Sequence, residues 1–242
     1  WNMRFIKFLL VAILATTTLG GQVATAEVPT LHLYLVRHGQ SVDNASGLQS
    51  GWSSTPLTNL GQRQAGALGG KISSFPITAA YSSGSVRAKA TLDILLAALA
   101  TPPAPKTDSR FREWGVGSFD QKPSAQVKAV IAKRLKTSVA DLWKFTDGQK
   151  MDALAAADPT HKAENWKKFK SRITAGLKAV VTANPGGSVL VVSHGYVIKH
   201  LIKELTGSWA KADIANATLT ELDLVGGKWV MVQQPTLNPL LK

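Results

Sequence analysis

The sequence predicts an α/β fold, a three-layer α/β/α sandwich around a mostly parallel central sheet with an antiparallel edge hairpin. Strand-like and helix-like segments alternate from about residue 31 onward, the pattern of a parallel sheet covered by helices on both faces. "SVLVVSH" (188–194) is a continuous β-rich run between Pro-Gly-Gly and Gly195, which suits a strand buried on both faces. "ATLTELDLV" (217–225), a Gly-Gly-Lys turn and "WVMVQQP" (229–235) close the chain as an antiparallel hairpin.

The elements follow in order. "LHLYLVR" (31–37) is the first strand. "LTNLGQRQAGALGGKI" (57–72) is an amphipathic helix with Thr58 as its N-cap, and "ITAAYSS" (77–83) a second strand. "SVRAKATLDILLAALA" (85–100) is a helix capped by Ser85 and stopped by "TPPAP". A short strand is expected over residues 106–111. Residues 115–185 are Ala/Lys-rich and read as a helical insertion in which Trp143, Trp166 and Phe169 pack. After the strand at 188–194, "YVIKHLIKEL" (196–205) is the next helix.

Residues 27–242 read as one domain, long enough to bury a core without disulfides. Ahead of it, Arg4 and Lys7, the apolar run "FLLVAILA" (8–15) and Ala24-Thr25-Ala26 predict a cleaved signal peptide over residues 1–26, with Trp1 and Asn2 a scar before Met3. The expected location is therefore secreted or periplasmic. No later segment resembles a membrane span, so no stable membrane insertion is expected after cleavage. There are no cysteines, which excludes disulfides, thiolate metal sites and a cysteine nucleophile. The net charge is +13. Without Arg4 and Lys7 it is +11, from 26 basic and 15 acidic residues. Many of the lysines sit at helical spacing among alanines, and no nucleic-acid motif accompanies them, so no nucleic-acid partner is expected.

The unusual polar residues fall at strand ends. Arg37 and His38 end the first strand, Arg87 lies in the first turn of the helix after the second, Glu113 follows the third and His194 closes the fourth. Ligands of open α/β sheets bind beyond the carboxyl ends of the strands, so these five converge on one rim. The set suits phosphoryl transfer. Two guanidiniums can hold phosphate oxygens, one imidazole can attack phosphorus while the other donates to the equatorial oxygens, and a glutamate can protonate the departing alkoxide. A helix dipole disfavours Arg87 in a first turn, which itself favours a bound anion there. No carboxylate cluster with metal-ligand spacing is evident, so neither metal nor cofactor is expected. His32, His161 and His200 lack such company. His200 reads as surface or packing and His161 as solvent-facing.

"LVRHGQSVDN" (35–44) resembles the signature of the histidine phosphatase superfamily, which includes the phosphoglycerate mutases. "TPLTNLGQRQAGALG" (55–69), "YSSGSVRAKATLDIL" (81–95), "FREWGVGSFD" (111–120) and "VVSHG" (191–195) resemble its later blocks, in family order. The resemblance implies a phosphoglycerate mutase-like fold. It implies His38 as the phosphorylated nucleophile, Arg37, Arg87 and His194 as the phosphate pocket, and Glu113 as acid and base. Asn44 then contacts the phosphoryl group or substrate, Gly39 permits the tight turn, and Gly195 lends its backbone N–H. Ser50, intervening before Gly51-Trp52, and Asp120, where a glutamate is frequent, depart from the family pattern and bear on specificity. The expected activity is hydrolysis of a small-molecule phosphate monoester. The alternatives are phosphoglycerate mutase-type transfer and non-catalytic binding of phosphorylated ligands. The oligomeric state is left open.

Overall fold

Leu31–Arg37 forms strand β1, which lies inside a six-stranded sheet and is buried on both faces because helices cover both sides of that sheet. In the computed structural model, which describes residues 29–211 and 214–235, the other strands are β2 (Ala79–Ser82), β3 (Pro105–Thr107), β4 (Ser188–Ser193), β5 (Leu219–Val225) and β6 (Lys228–Gln233). Their order is β3-β2-β4-β1-β5-β6. The first four run parallel, while β5 and β6 are the antiparallel hairpin at the edge. The helices are α1 (Val42–Ala45), α2 (Asn59–Ile72), α3 (Val86–Ala97), α4 (Ser124–Arg134), α5 (Asp147–Ala157), α6 (Trp166–Ala183) and α7 (Gly195–Thr206).

Side chains alternate across the sheet, and so divide it between two cores. Tyr34, Val36, Leu190 and Val192 face Leu68 and Ile72 of α2 and Leu92 and Leu95 of α3. Leu33, Leu35, Val189 and Val191 face Phe169, Ile173 and Leu177 of α6 and Ile198 and Leu201 of α7. The helix boundaries follow local chemistry. Thr58 accepts from Gly61 N at 3.0 Å and Ser85 from Ala88 N at 3.4 Å, each capping its helix, and Gly207 ends α7 in the left-handed region at φ 72°.

The third strand is shorter than the sequence suggests. Asp108 accepts from Arg110 N at 3.0 Å and pairs with the Arg110 guanidinium, which turns residues 109–111 into a 3-10 helix instead of extended chain. Residues 115–185 are mostly helical, but α6 is the crossover that returns the chain to β4, and it forms a helical layer with α7. Trp143, expected to pack, is 76% exposed on a 3-10 turn. Trp166 does pack, against Phe169 and His200. His161 is exposed. The signal-peptide expectation falls on residues 1–26, outside the described residues. Among the described residues no helix is long and apolar enough to cross a membrane.

Candidate active site

The register of the parallel strands assembles the site. Arg37 pairs with Ser193, and Val36 and Ser82 with Val192, so the residues that follow β1, β2 and β4 emerge side by side. These are His38, Ser83 and His194. The His38 and His194 rings meet edge-on, 5.0 Å between centroids.

Gly39 has a different purpose from the tight turn expected of it. Its carbon is where the chain leaving β1 crosses the first turn of α2, backbone against backbone. A β-carbon there would lie 2.3 Å from Gly61 O, and one on Gly61 would lie 2.1 Å from Gln40 O. Gly61→Ala is therefore expected to cost about 3 kcal/mol, a fall in Tm of ~6–12 °C. Gly66→Ala, whose added carbon meets nothing, is the control in the same thermal melts. Equal melting of the two variants would show that the close approach is not required.

Arg87 is a buried cation and Arg37 a half-buried one, and neither has a salt-bridge carboxylate among the described residues. Arg87 is 0% exposed. Its Nη1 donates to Ser53 O at 3.0 Å, its Nη2 to Gly51 O at 2.8 Å and its Nε to His38 Nε2 at 3.3 Å. Arg37 Nη1 donates to Ile214 O at 2.6 Å, while its buried Nε has no hydrogen-bond partner among the described residues. A buried charge left uncompensated costs several kcal/mol. Two cations without a salt-bridge carboxylate among the described residues, one of them with an idle N–H, give the site the character of an anion pocket.

Both histidines are held neutral. Burial first, then Arg87 and Arg37, take His38 well below the ordinary imidazole range. Its Nδ1 lies 2.7 Å from Gly39 O, which only accepts, so Nδ1 carries the proton. Nε2 is left with its lone pair, as the approach of Arg87 Nε confirms. Burial and the neighbouring Arg87 lower His194 likewise. Arg87 Nη2, which can only donate, is 3.3 Å from His194 Nδ1, and Ser83 Oγ is 2.8 Å from Nε2. In this arrangement both nitrogens of His194 are engaged by protein, so neither is free to donate to an oxygen of an incoming anion.

Glu113 enters from the loop after β3. Its Oε1 accepts from Trp114 N at 2.9 Å and its Oε2 from Tyr196 N at 3.3 Å, in the first turn of α7. Burial raises its pKa, against the N–H of Trp114 and the charge of Arg37. The loop is fastened by Arg172, which donates to the carbonyls of Arg110, Arg112 and Glu113 and pairs with Glu164. Trp52 Nε1 also donates to Glu113 O, at 2.9 Å. Asp120 accepts from Gly51 N and Trp52 N, both at 2.8 Å. It thereby holds in place the two carbonyls, of Gly51 and Ser53, that anchor Arg87.

Arg37, His38, Asn44, Glu113 and Gly195 line one cavity of about 600 Å³, with Arg87 and His194 buried against His38. Asn44 also has a local duty, because its Oδ1 accepts from Ser41 N and Asn216 Nδ2. Ser50 lines the same cavity.

Residues 33–235 match the family model described as histidine phosphatase superfamily (branch 1). The chain belongs to the histidine phosphatase superfamily. A Yersinia pestis protein named "Probable phosphoglycerate mutase GpmB" is 28% identical over 204 residues, covering 83% of this chain and 88% of its own. Its Salmonella choleraesuis namesake is 27% identical over 206 residues, with the same coverage. The crystal structure of a phosphoglycerate mutase from Bacillus anthracis superposes with a TM-score of 0.81 at 29% identity, covering 88% of this chain and 95% of that one. A mycobacterial glucosyl-3-phosphoglycerate phosphatase shares the fold, with a TM-score of 0.68 at 24% identity over 86% of this chain and 100% of that one. The fold of this histidine phosphatase superfamily member is thus phosphoglycerate mutase-like.

All eight residues singled out in the sequence as site residues come together in this superfamily member. Several others at the site carried no signal. Ser83 is one of many serines, and Arg172 one cation on a basic amphipathic helix. Trp52 was noticed only as part of a motif. Among the described residues, the group able to ligate a cation is His32, Glu221 and Asp223. It lies at the start of β1, the opposite end from the cavity.

Proposed function

We propose that this histidine phosphatase is a phosphomonoesterase working through a phosphohistidine at His38, without a metal. The observation that carries the reading is His38 itself, a neutral imidazole whose Nε2 lone pair meets the Arg87 guanidinium, in a cavity that Arg37 also lines. The phosphoryl group occupies the space beside Arg37 Nε and Arg87. Nε2 attacks phosphorus, the ester P–O bond breaks, and Glu113 gives its proton to the departing alkoxide. Water then attacks the phosphohistidine, Glu113 takes the proton back, and inorganic phosphate leaves. The two arginines supply the positive charge that stabilises the transferring group. Once Arg87 turns to the phosphate, His194 can carry its proton on Nδ1 and donate as well. Ser83, which can either donate or accept, keeps its bond to Nε2 throughout.

The names of the relatives favour a second reading, phosphoglycerate mutase. It shares the first half-reaction and differs in what receives the phosphoryl group, a second hydroxyl of the substrate or water. Hydrolysis of p-nitrophenyl phosphate undiminished by EDTA is the expected result. Isomerisation of 3-phosphoglycerate outpacing its hydrolysis would establish the mutase instead. Phosphate-competitive binding without turnover across a broad ester panel would mark a binder.

A further inference from the structure

Lys199 stands one helical turn into α7 from Gly195 and lines the cavity that His38 and Glu113 share. Its ammonium is 2.7 Å from Asp147 Oδ2 and lies over the rings of Tyr196 and Trp209. Asp147 has more partners than it needs. Lys150 is 3.3 Å from Oδ1, and His200 Nε2 is 3.2 Å from the oxygen that Lys199 holds. Burial alone would raise the Asp147 carboxyl, yet contacts with His200 and Lys199 and the charges of Lys199 and Lys150 take it well below the usual carboxylate range. Should Lys199 leave, Asp147 keeps Lys150 on Oδ1, with His200 Nε2 close by but outside hydrogen-bond geometry.

The exposures fit that exchange. The Asp147 side chain is 9% exposed and that of Lys199 42%, so a fixed carboxylate holds a mobile ammonium at the edge of water. A lysine stem of four carbons can turn between two anions where a planar, forked guanidinium would be held in one geometry. The surrounding rim carries uncharged Gln49, Ser50 and Ser124, and Glu113 is the carboxylate among the lining residues. Arg37 and Arg87 serve the phosphoryl group deeper in. A third cation on the leaving-group side has no task in cleaving the ester of a neutral alcohol.

We propose that Lys199 selects phosphomonoesters whose leaving group bears a second anion, a carboxylate or a further phosphate, by exchanging Asp147 for that anion. The proposal rests on the phosphomonoesterase reading, and its test separates the two. Three probes of similar size are compared: ethyl phosphate, phosphoglycolate and ethylene glycol bisphosphate. Wild type is expected to favour at least one anionic probe over ethyl phosphate in kcat/KM. Lys199→Met lowers that preference by about tenfold, mainly through KM, as expected for a lost charge pair. Lys199→Arg retains most of it. The better of the two anionic probes identifies the class. No preference in wild type, or an equal loss on all three probes in Lys199→Met, overturns the proposal. The same probes are titrated calorimetrically into His38→Ala with and without Lys199→Met. If wild type hydrolyses neither these probes nor p-nitrophenyl phosphate, the phosphomonoesterase reading fails, and this binding preference alone decides the role of Lys199.

Discussion

His38→Ala is expected to lower kcat by about 10⁴-fold or more, because the variant loses the proposed acceptor of the phosphoryl group. The variant should still fold. His38 is buried but neutral, and its ring makes one bond to its own neighbour's carbonyl and one to Arg87. Truncation leaves no buried carboxylate or ion pair broken. The decisive measurement is chemical. Wild-type protein quenched during turnover at alkaline pH, where a phosphoramidate survives, should carry one added phosphoryl group on the peptide containing His38. His38→Ala should carry none, yet still bind vanadate or inorganic phosphate through Arg37 and Arg87. A phosphoryl group on another residue, or an alanine variant retaining more than about 1% of wild-type kcat against the loss expected for a nucleophile, ends the account.

Glu113→Gln is expected to divide substrates by leaving group. On an alkyl phosphate the departing alkoxide needs a proton, and losing the acid costs about 10²–10⁴-fold in kcat. On p-nitrophenyl phosphate the leaving group departs as a stable phenolate, so the first half-reaction stays fast. The second does not, because the attacking water has lost its base. The variant should therefore show a burst of about one nitrophenolate per site and accumulate phosphohistidine, a pattern only a two-step mechanism produces. Its pH profile carries a second signature. Burial lowers the pKa of His38, so its lone pair persists into acid, and burial raises that of Glu113, so the acid stays protonated above the ordinary carboxyl range. The acid limb of kcat/KM thus belongs to His38 and the alkaline limb to Glu113. Glu113→Gln should remove the alkaline limb and keep the acid one. Uniform loss on alkyl and aryl esters, with no burst, would remove Glu113 from proton transfer.

The two variants also bear on Arg172 and Asp120. Neither reaches the cavity, but each fixes backbone that does: Arg172 the loop carrying Glu113, and Asp120 the carbonyls that receive Arg87. They act on catalysis through position alone.

Much of the architecture was legible because its causes are local. A β-rich run bounded by glycines, or a serine or threonine before an amphipathic segment, acts within a few residues of itself, so the strands at 31–37 and 188–193 and the caps at Thr58 and Ser85 fall where the sequence places them. The third strand forms but stops early for the same kind of reason, since the Asp108–Arg110 pair is a local turn signal stronger than the strand propensity beside it. Convergence of the strand-end residues on one rim was also legible, because parallel strands deliver their carboxyl ends to the same edge, although their juxtaposition needed the register. Exposure was less so. Nothing in the sequence separates exposed Trp143 from half-buried Trp166.

What the sequence by itself determined is the set of groups at the rim and the sandwich that carries them, since periodicity, caps and glycines act at short range. Only the tertiary structure decided how those groups are charged and aimed. The proton on His38 Nδ1, the engagement of His194 by Arg87 and Ser83, the idle N–H of Arg37 and the pairing of Lys199 with Asp147 all join residues that strand register and helix packing bring into contact. Charge and hydrogen bonding act through distance in space, and distance along the chain does not set it.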